Sequence, residues 1–285
     1  MKIAHLLLVH KAPAMVERLV KKMQHPAFYF FIHVDKKANK AAFEYLADIP
    51  NVILLQHQID VKWGGYSIVQ ATLYALNEAL AYDVHFSTYT VMSGQDYPLL
   101  SNDALYKFYE SNVGKNFIYH EDDNSEWWKT AYGRVDRYHL TDMNFKGKDR
   151  LAAFISSIFP KRKIPFGGRL YGGPGSGWWS ISAASALYLT DLIEHDRKLE
   201  EFTKFTWAPD EFFIQTLILN SPLAEHTIIR NLWYMDWSEG KPSPKIFTAA
   251  DFETLSQVPY IFARKFDSGV DSTILDLLDQ WHAKQ

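Results

Sequence analysis

The first hundred residues alternate short apolar runs with segments whose apolar residues recur every three or four positions. The runs have the length and the β-branched and aromatic content of buried strands, and they predict strands at 3–9, 27–34, 52–56 and 86–92. The segments between them predict helices at 14–24, 40–46 and 67–81. This order predicts an α/β fold, with a mostly parallel sheet flanked by helices and ligands bound beyond the carboxyl ends of its strands.

The pattern is weaker in the rest of the chain. Residues 121–165 are polar and aromatic without a clear period, so we expect loops and short helices there that cover the site. The glycine-rich segment 167–177 matches no phosphate-binding loop, and we expect it to provide tight turns or a close backbone approach to a substrate. A strand is predicted at 178–182, and helices at 183–194, 211–219 and 273–281. Without a linker or repeat, residues 1–285 are expected to form one domain.

The composition excludes several classes of protein. The net charge of -3 argues against a nucleic-acid-binding protein, which usually carries a basic surplus. The chain has no cysteine, which excludes disulfides, thiolate metal sites and a cysteine nucleophile and fits a reducing cytoplasm. The apolar start is too short for a signal peptide, and no stretch reaches the ~20 apolar residues of a membrane-spanning helix. We therefore expect a cytoplasmic protein.

Aromatic residues are frequent and make up 15% of the chain. Large cores use aromatic side chains, but glycan-binding sites also collect them because the apolar faces of sugar rings stack on tryptophan and tyrosine. The excess mildly favours a carbohydrate ligand.

An acidic pair, Asp210 and Glu211, stands at the start of an apolar run. Carboxylates in the first turn of a helix often only stabilise the positive end of the helix dipole. The aromatic neighbours Trp207, Phe212 and Phe213 would raise the pKa of a carboxylate, which suits a general base. The spacing does not decide which of the two carboxylates is catalytic.

A basic pair, Arg264 and Lys265, lies between Phe262 and Phe266. Such residues can be ordinary surface cations whose aliphatic stems cover apolar rings, or a clamp for a diphosphate. Together with the acidic pair, they suggest an enzyme that deprotonates a nucleophile and stabilises an anionic leaving group. Transfer of a sugar from a nucleotide donor has these requirements.

Polar residues at strand ends supply further candidates. His33 and Asp35 face the same side of a strand, but no third metal ligand is evident. Asp35 is better interpreted as a hydrogen-bond acceptor for a uracil or ribose, or as a residue that caps a turn. Ser93 and Asp96 occur where many nucleotide-sugar transferases carry an Asp-x-Asp metal site. We therefore expect cationic side chains to replace the metal.

Seven segments spread over nearly the whole chain resemble, in the same order, the core-2/I-branching β-1,6-N-acetylglucosaminyltransferases and peptide O-xylosyltransferases of glycosyltransferase family 14. Each segment alone is a weak signal, and the order of the seven is specific. The segments are LVHK at 8–11, FIHVDK at 31–36, WGGYS at 63–67, MSGQDYPL at 92–99, GSGWW at 175–179, PDEFF at 209–213 and FARKFD at 262–267.

The resemblance implies a GT-A-like fold and a UDP-sugar donor, with N-acetylglucosamine or xylose as its sugar. It also implies inversion at the anomeric carbon without a divalent metal or other cofactor. The N-terminal half would bind the donor, and the C-terminal half would bind the acceptor and supply the base. Glu211 matches the catalytic base of the family, and Lys265 matches the lysine that contacts the diphosphate. A second cation is expected upstream, at Lys241 or Lys245, and Trp63 matches a tryptophan near the donor.

The predicted binding residues form two groups. The donor group is His10, His33, Asp35, Trp63, Ser93, Asp96, Lys245, Arg264 and Lys265. The acceptor group is Glu126, Trp128, Lys129, Asp210, Trp233 and Tyr234. Ala131 stands where the family carries an arginine, so the resemblance does not imply the acceptor of the known members.

The vertebrate members of the family carry a membrane anchor, a stem and disulfides, and we expect none of these here. We therefore expect a bacterial enzyme that acts on a glycan or a lipid-linked saccharide, without a membrane span and with peripheral membrane docking left open. Two other functions remain open from the sequence. One is a glycoside hydrolase, which needs two carboxylates across one sugar, and the other is a non-catalytic glycan-binding protein.

Overall fold

The computed structural model describes residues 1–165 and 168–283, and the element bounds below refer to these residues. The strands are β1 (Ile3–Val9), β2 (Phe28–Val34), β3 (Val52–Leu54), β4 (Thr88–Ser93), β5 (Asp96–Pro98), β6 (Asn116–Ile118), β7 (Ser180–Ser182), β8 (Thr227–Ile229), β9 (Trp233–Met235) and β10 (Phe262–Arg264). The α-helices are α1 (Pro13–Lys22), α2 (Tyr66–Leu80), α3 (Asn102–Ser111), α4 (Glu126–Asp136), α5 (Lys148–Ile158), α6 (Ala183–His195), α7 (Arg197–Lys204), α8 (Phe213–Leu219), α9 (Phe252–Gln257) and α10 (Thr273–His282). Shorter 3₁₀ helices cover Lys40–Asp48, Pro209–Glu211, Pro222–His226 and Ala249–Asp251.

The main sheet has seven strands in the order β3-β2-β1-β4-β7-β6-β8. Strands β1 to β4 are mutually parallel where they pair, and β6 is parallel to β8, while β7 runs antiparallel to both of its neighbours. Helices cover both faces of this sheet. The predicted α/β class, with a mostly parallel sheet flanked by helices, is confirmed.

Alternate side chains of β1 divide the core into two layers. Ile3 and Leu7 pack with residues of α1, α3 and α10 on one face, and Ala4 and Leu6 pack with residues of α2, α6 and α8 on the other. Because both faces are buried, the strand reads as a continuous apolar run, as is usual in parallel sheets. This explains why its ends were predicted correctly from the sequence.

A second sheet of three strands, in the order β5-β10-β9, packs on the same core as β1. Strand β10 is antiparallel to β5 and parallel to β9, and its register places Arg264 opposite Asp96. The small sheet therefore places the basic segment of β10 next to the residues that directly follow β4. None of the described helices combines the length and apolar character needed to cross a membrane.

The segment 121–165, predicted as loops and short helices, contains two helices of 11 residues each, α4 and α5, joined by loops. Two predictions about local structure need correction. The helix predicted at 211–219 begins only at Phe213, because Pro209–Glu211 forms a separate 3₁₀ turn. The helix predicted at 40–46 is a 3₁₀ helix, and Gly167 of the glycine-rich segment lies outside the described residues.

Candidate active site

Glu211 ends the 3₁₀ turn Pro209–Glu211, which is fixed at its start to the segment before α2. Ala208 adopts the left-handed region (φ 49°, ψ 55°), which is unfavourable for a residue with a Cβ atom. Its N–H donates to the carbonyl oxygen of Gly64 at 2.7 Å. A Cβ atom at Gly64 would lie 2.8 Å from the indole nitrogen of Trp207, so the two segments meet at a glycine.

The glycine-rich segment packs against the backbone of the same turn. Gly173 donates its N–H to the carbonyl oxygen of Glu211 at 3.1 Å, and the hydroxyl of Ser176 donates to the same oxygen. A Cβ atom at Gly172 would lie 2.5 Å from that oxygen and 2.6 Å from the Cβ atom of Phe212. These glycines thus allow a close backbone approach. The group that they approach is the Glu211 turn, and not a substrate.

The side chain of Glu211 is held by Arg134 of α4. The guanidinium group forms an ion pair with Oε2, and the N–H of Gly175 lies 3.5 Å from Oε1. Arg134 in turn lies between two indole rings, with Cζ 4.4 Å from the ring centre of Trp207 and 5.0 Å from that of Trp127. About a fifth of each charged side chain is exposed, 18% for Arg134 and 20% for Glu211, so the carboxylate remains open to a ligand.

Arg134 was not predicted as a site residue from the sequence. Two signals were available: Trp127 and Arg134 are seven residues apart, which places them on one face of a helix, and Trp207 precedes the acidic pair. Neither signal shows that these side chains meet, because the contact joins residues 77 positions apart.

Asp210 has a different environment from Glu211. Burial and the negative charge of Glu211 together raise the pKa of Asp210 to about 7, while the positive charges of Arg134 and Arg264 oppose them. A Cβ atom at Gly177 would lie 3.1 Å from its Oδ2, so the carboxyl group is packed against the glycine-rich segment. Glu211 is the better candidate for a base that meets a substrate, because a fifth of its side chain is exposed whereas the carboxyl group of Asp210 is packed away.

Positive charge is concentrated where β1 and β10 end. His10 is exposed there, Lys11 pairs with Asp267 at 2.5 Å, and the half-buried ammonium of Lys265 has no hydrogen-bonding or acidic partner in the described part of the chain. Burial lowers the pKa of Lys265, and the charges of Arg264 and Lys11 lower it further. A cluster with more cations than acids is suited to an anionic ligand.

Arg264 connects this cluster with the acidic turn. It is only 8% exposed, its Nη1 lies 3.6 Å from Oδ1 of Asp96, and its Cζ lies 3.7 Å from the ring centre of Trp178. Nε and Nη1 have no hydrogen-bond partner among the residues that the structure describes. Its ring partner Trp178 follows Gly177, which packs against Asp210, so Arg264 lies between the acidic turn and Lys265.

Asp96 organises the residues around Arg264 from a fully buried position. It accepts hydrogen bonds from the N–H and hydroxyl of Ser93 at 2.9 and 2.8 Å, and from the indole N–H groups of Trp178 and Trp233 at 2.9 and 3.2 Å. Trp233 is 1% exposed. Direct substrate contacts were predicted for Asp96 and Trp233. Both side chains are instead buried behind the surface, where they support other residues.

The strand end at His33 and Asp35 also differs from expectation. His33 is buried, and its Nε2 accepts a hydrogen bond from the N–H of Ile59 at 3.0 Å. Asp35 accepts the N–H of Lys37 at 2.8 Å, which is the turn-capping interpretation, although its charge still reaches His10. Among the described residues, no three metal-binding side chains form a cluster.

Two other predicted donor residues have clear positions. Trp63 is 67% exposed and contacts Trp207 edge-on at 5.7 Å between ring centres, so it extends the aromatic surface next to Arg134. Lys245 pairs with Asp251 at 2.6 Å and is neutralised there, which makes it a poor second cation for a diphosphate. Arg264 is better placed for that role.

The predicted acceptor residues are not brought together. Trp128 is 2% exposed and packs with Phe212 in a small cluster, so a direct acceptor contact is corrected to a supporting role. Glu126 and Lys129 pair with each other on the exposed side of α4. Tyr234 is half-buried and stacks on Phe247 at 5.7 Å between ring centres.

The sequence of this chain is similar to those of known proteins. A sequence model of the family described as "Core-2/I-Branching enzyme" matches residues 3–257. Xylosyltransferase 2 of Canis lupus familiaris is 31% identical over 309 residues, and xylosyltransferase 1 of Homo sapiens is 26% identical over 308 residues. Both alignments cover 98% of this chain, but the chain spans only 33% and 30% of those relatives.

Solved structures give a more distant likeness. The galactosyltransferase LgtC in complex with donor and acceptor sugar analogs matches 99% of this chain and 100% of its own, with a TM-score of 0.48 and 10% identity. Mouse xyloside xylosyltransferase 1 in its apo form matches 92% of this chain and 97% of its own, with a TM-score of 0.43 and 10% identity. The family assignment depends on the sequence matches alone: the chain belongs to the Core-2/I-branching enzyme family.

Proposed function

We propose that this protein is an inverting glycosyltransferase that moves a sugar from a UDP-sugar to a hydroxyl group of a glycan acceptor without a divalent metal. One observation carries the proposal: the glycine-rich segment connects a held carboxylate, Glu211, with the unpaired ammonium of Lys265. Its Gly177 packs against Asp210, the residue before Glu211, and its Trp178 packs against Arg264, the residue before Lys265. A base next to a fixed site for an anionic leaving group is the arrangement that such a transfer needs.

In the proposed reaction, Glu211 removes the proton of the acceptor hydroxyl as the oxygen attacks the anomeric carbon. The bond from this carbon to the β-phosphate oxygen breaks, and its electron pair leaves with UDP. Lys265 stabilises the negative charge that develops on the diphosphate, and the unused N–H donors of Arg264 are close by. Arg134 acts as a positioning residue, because it orients Glu211 between the two indole rings.

The donor sugar is proposed from the relatives and from the exposed surface. The relatives are named xylosyltransferases, so UDP-xylose leads, and UDP-N-acetylglucosamine remains the second candidate. Trp63 and the partly exposed Trp207 offer rings for the apolar face of a sugar. The acceptor is proposed to be a glycan or a lipid-linked saccharide.

Release of UDP from a panel of UDP-sugars, measured in EDTA with candidate acceptors, tests the reaction. We expect turnover of UDP-xylose or UDP-N-acetylglucosamine by the wild type and almost none by Glu211→Gln. Hydrolysis of a glycan without any nucleotide would instead support a glycoside hydrolase. Binding of a glycan without UDP release from any donor would support a non-catalytic protein.

A further inference from the structure

Helix α5 exposes three of its large apolar side chains, while Ala152 is buried and Ile155 is half-buried. Leu151, Phe154 and Ile158 are three and four residues apart, so they share one face, and they are 42%, 61% and 61% exposed. The face toward the protein carries Ala152, which is buried, and Ser156, whose hydroxyl accepts the N–H of Tyr138 at 3.0 Å. This is the reverse of an ordinary surface helix, whose apolar face packs on the core.

The exposed apolar surface continues beyond both ends of α5. Met143 and Phe145 precede the helix and are 42% and 44% exposed, and Phe159 follows it and is 55% exposed. With the three residues of α5, they form what we call the α5 surface. So many neighbouring exposed apolar side chains mark an interaction site more often than a free solvent-facing surface.

The charges around the α5 surface are strongly basic. Residues 143–163 contain six lysines and arginines and one aspartate, although the whole chain has a net charge of -3. Lys146, Arg150 and Lys163 are exposed and have no acidic partner within the part of the chain that the structure describes. Arg162 does not contribute, since its guanidinium group donates to the carbonyl oxygens of Arg137 and Phe205 at 3.0 and 2.6 Å.

We propose that the α5 surface docks on an anionic lipid bilayer. A helix with large apolar side chains on its outward face and lysines and arginines at its borders lies in the plane of a membrane interface. The apolar side chains enter the boundary between headgroups and acyl chains, and the flanking cations attract anionic lipids. Charge complementarity selects this occupant, because six lysines and arginines against one aspartate give the border of the surface a positive charge.

The docked helix would lie next to the candidate active site. A cavity of about 690 Å³ lies beneath α5 and is lined by residues of the α4–α5 connection, including Tyr138 and His139, and by Trp207. Trp207 packs on Arg134, the partner of Glu211. Docking through α5 would thus bring this part of the protein close to an acceptor held in the bilayer. Membrane docking itself does not depend on the proposed transfer reaction.

Co-sedimentation with lipid vesicles tests the proposal without any sugar substrate. Vesicles of phosphatidylglycerol and phosphatidylcholine should bind the wild type, and pure phosphatidylcholine should bind it much more weakly. The double variant Phe154→Ser/Ile158→Ser should lower the affinity by about tenfold or more, because two apolar side chains no longer leave water. Each of Lys146→Gln, Arg150→Gln and Lys163→Gln should lower it by about fivefold and reduce its dependence on salt.

A matched control is Leu187→Ser/Val270→Ser, which removes two apolar side chains that are 58% and 60% exposed elsewhere on the surface. This control should bind vesicles as the wild type does, and circular dichroism should show that both double variants are folded. Failure of the wild type to bind anionic vesicles would overturn the proposal. So would a wild-type dimer, seen by light scattering, that Phe154→Ser/Ile158→Ser dissociates without any effect of lipid, since the surface would then join two copies.

Discussion

The two carboxylates at positions 210 and 211 have the same chemistry and different neighbours. Glu211 has a cation at hydrogen-bonding distance, while Asp210 is packed against glycine backbone and its pKa is raised by burial and by the charge of Glu211. This difference was not available from the sequence, because both Arg134 and Gly177 come from distant segments. Because their surroundings differ, mutations of the two residues should have different effects on activity.

Glu211→Gln should lower kcat by about 10²–10⁴-fold, the usual contribution of a general base, with UDP affinity nearly unchanged. Asp210→Asn is the matched control, because it imitates the protonated carboxyl group, and it should keep kcat within about tenfold of the wild type. Steady-state kinetics and UDP titration of the two variants measure this. Equal losses of kcat in both would contradict the assignment of the base to Glu211.

The role of Arg134 as a positioning residue predicts a separation of kcat from donor binding. Arg134→Met should lower kcat by roughly 10–100-fold, since even a small displacement of a catalytic group is costly, and should leave the Kd for UDP unchanged. Arg137→Met, which removes an exposed arginine at the end of the same helix, is the control and should behave as the wild type. Weaker UDP binding by Arg134→Met would place this residue on the donor side.

At the scale of helices and strands, the sequence predicted buried parallel strands well and solvent-facing helices poorly. Strand β1 was predicted to the residue because both of its faces are buried and its apolar run is continuous. Helix α5 lies in a segment for which only unplaced short helices were predicted, because three of its large apolar residues face outward and the segment has no clear apolar period. The Glu211 turn was assigned to the following helix because the pattern did not reveal the 3₁₀ geometry.

One residue of β1 should make the fold sensitive to acid. His5 is fully buried with no hydrogen-bond partner among the described residues, and burial lowers its pKa to about 3. The unfolded chain takes up the proton near pH 6.5 and the folded protein does not, so stability is present at neutral pH and declines as the pH falls below about 6.5. The contribution lost between pH 7 and pH 5 is about 2 kcal/mol.

His5→Leu should therefore lose less free energy of unfolding than the wild type between pH 7 and pH 5, by about 2 kcal/mol. Urea unfolding at both pH values measures the difference. His85→Leu, at an exposed site, is the control and should leave the acid sensitivity unchanged. An unchanged pH dependence in His5→Leu would show that His5 is not the group that titrates.

At the scale of the whole molecule, the chain has a net charge of -3 but carries two local clusters of positive charge. One is the cluster where β1 and β10 end, which we assign to the diphosphate, and the other is the border of the α5 surface. The small sheet joins the first cluster to the segment that follows β4, through Arg264 and Asp96. The order of the sequence motifs predicted which segments matter, but only the folded structure distinguishes unpaired, half-buried Lys265 from Lys245, whose charge is neutralised by Asp251.

That distinction predicts opposite results for two lysines. Lys265→Met should weaken UDP binding by about tenfold, because an unpaired cation next to a diphosphate is lost. Lys245→Met should leave UDP binding unchanged, since its charge is already paired with Asp251. Because the pKa of Lys265 is lowered, UDP affinity of the wild type should also decline as the pH rises through that pKa. Loss of UDP binding in Lys245→Met alone would show that Lys245, and not Lys265, contacts the diphosphate.

Calorimetric titration of UDP into the wild-type protein, with and without EDTA, is the simplest test of a metal-independent UDP site because it needs neither the donor sugar nor the acceptor. We expect saturable binding with the same Kd in both conditions. Binding that disappears in EDTA would show that a metal ion holds the diphosphate, and no binding in either condition would contradict a UDP-sugar transferase.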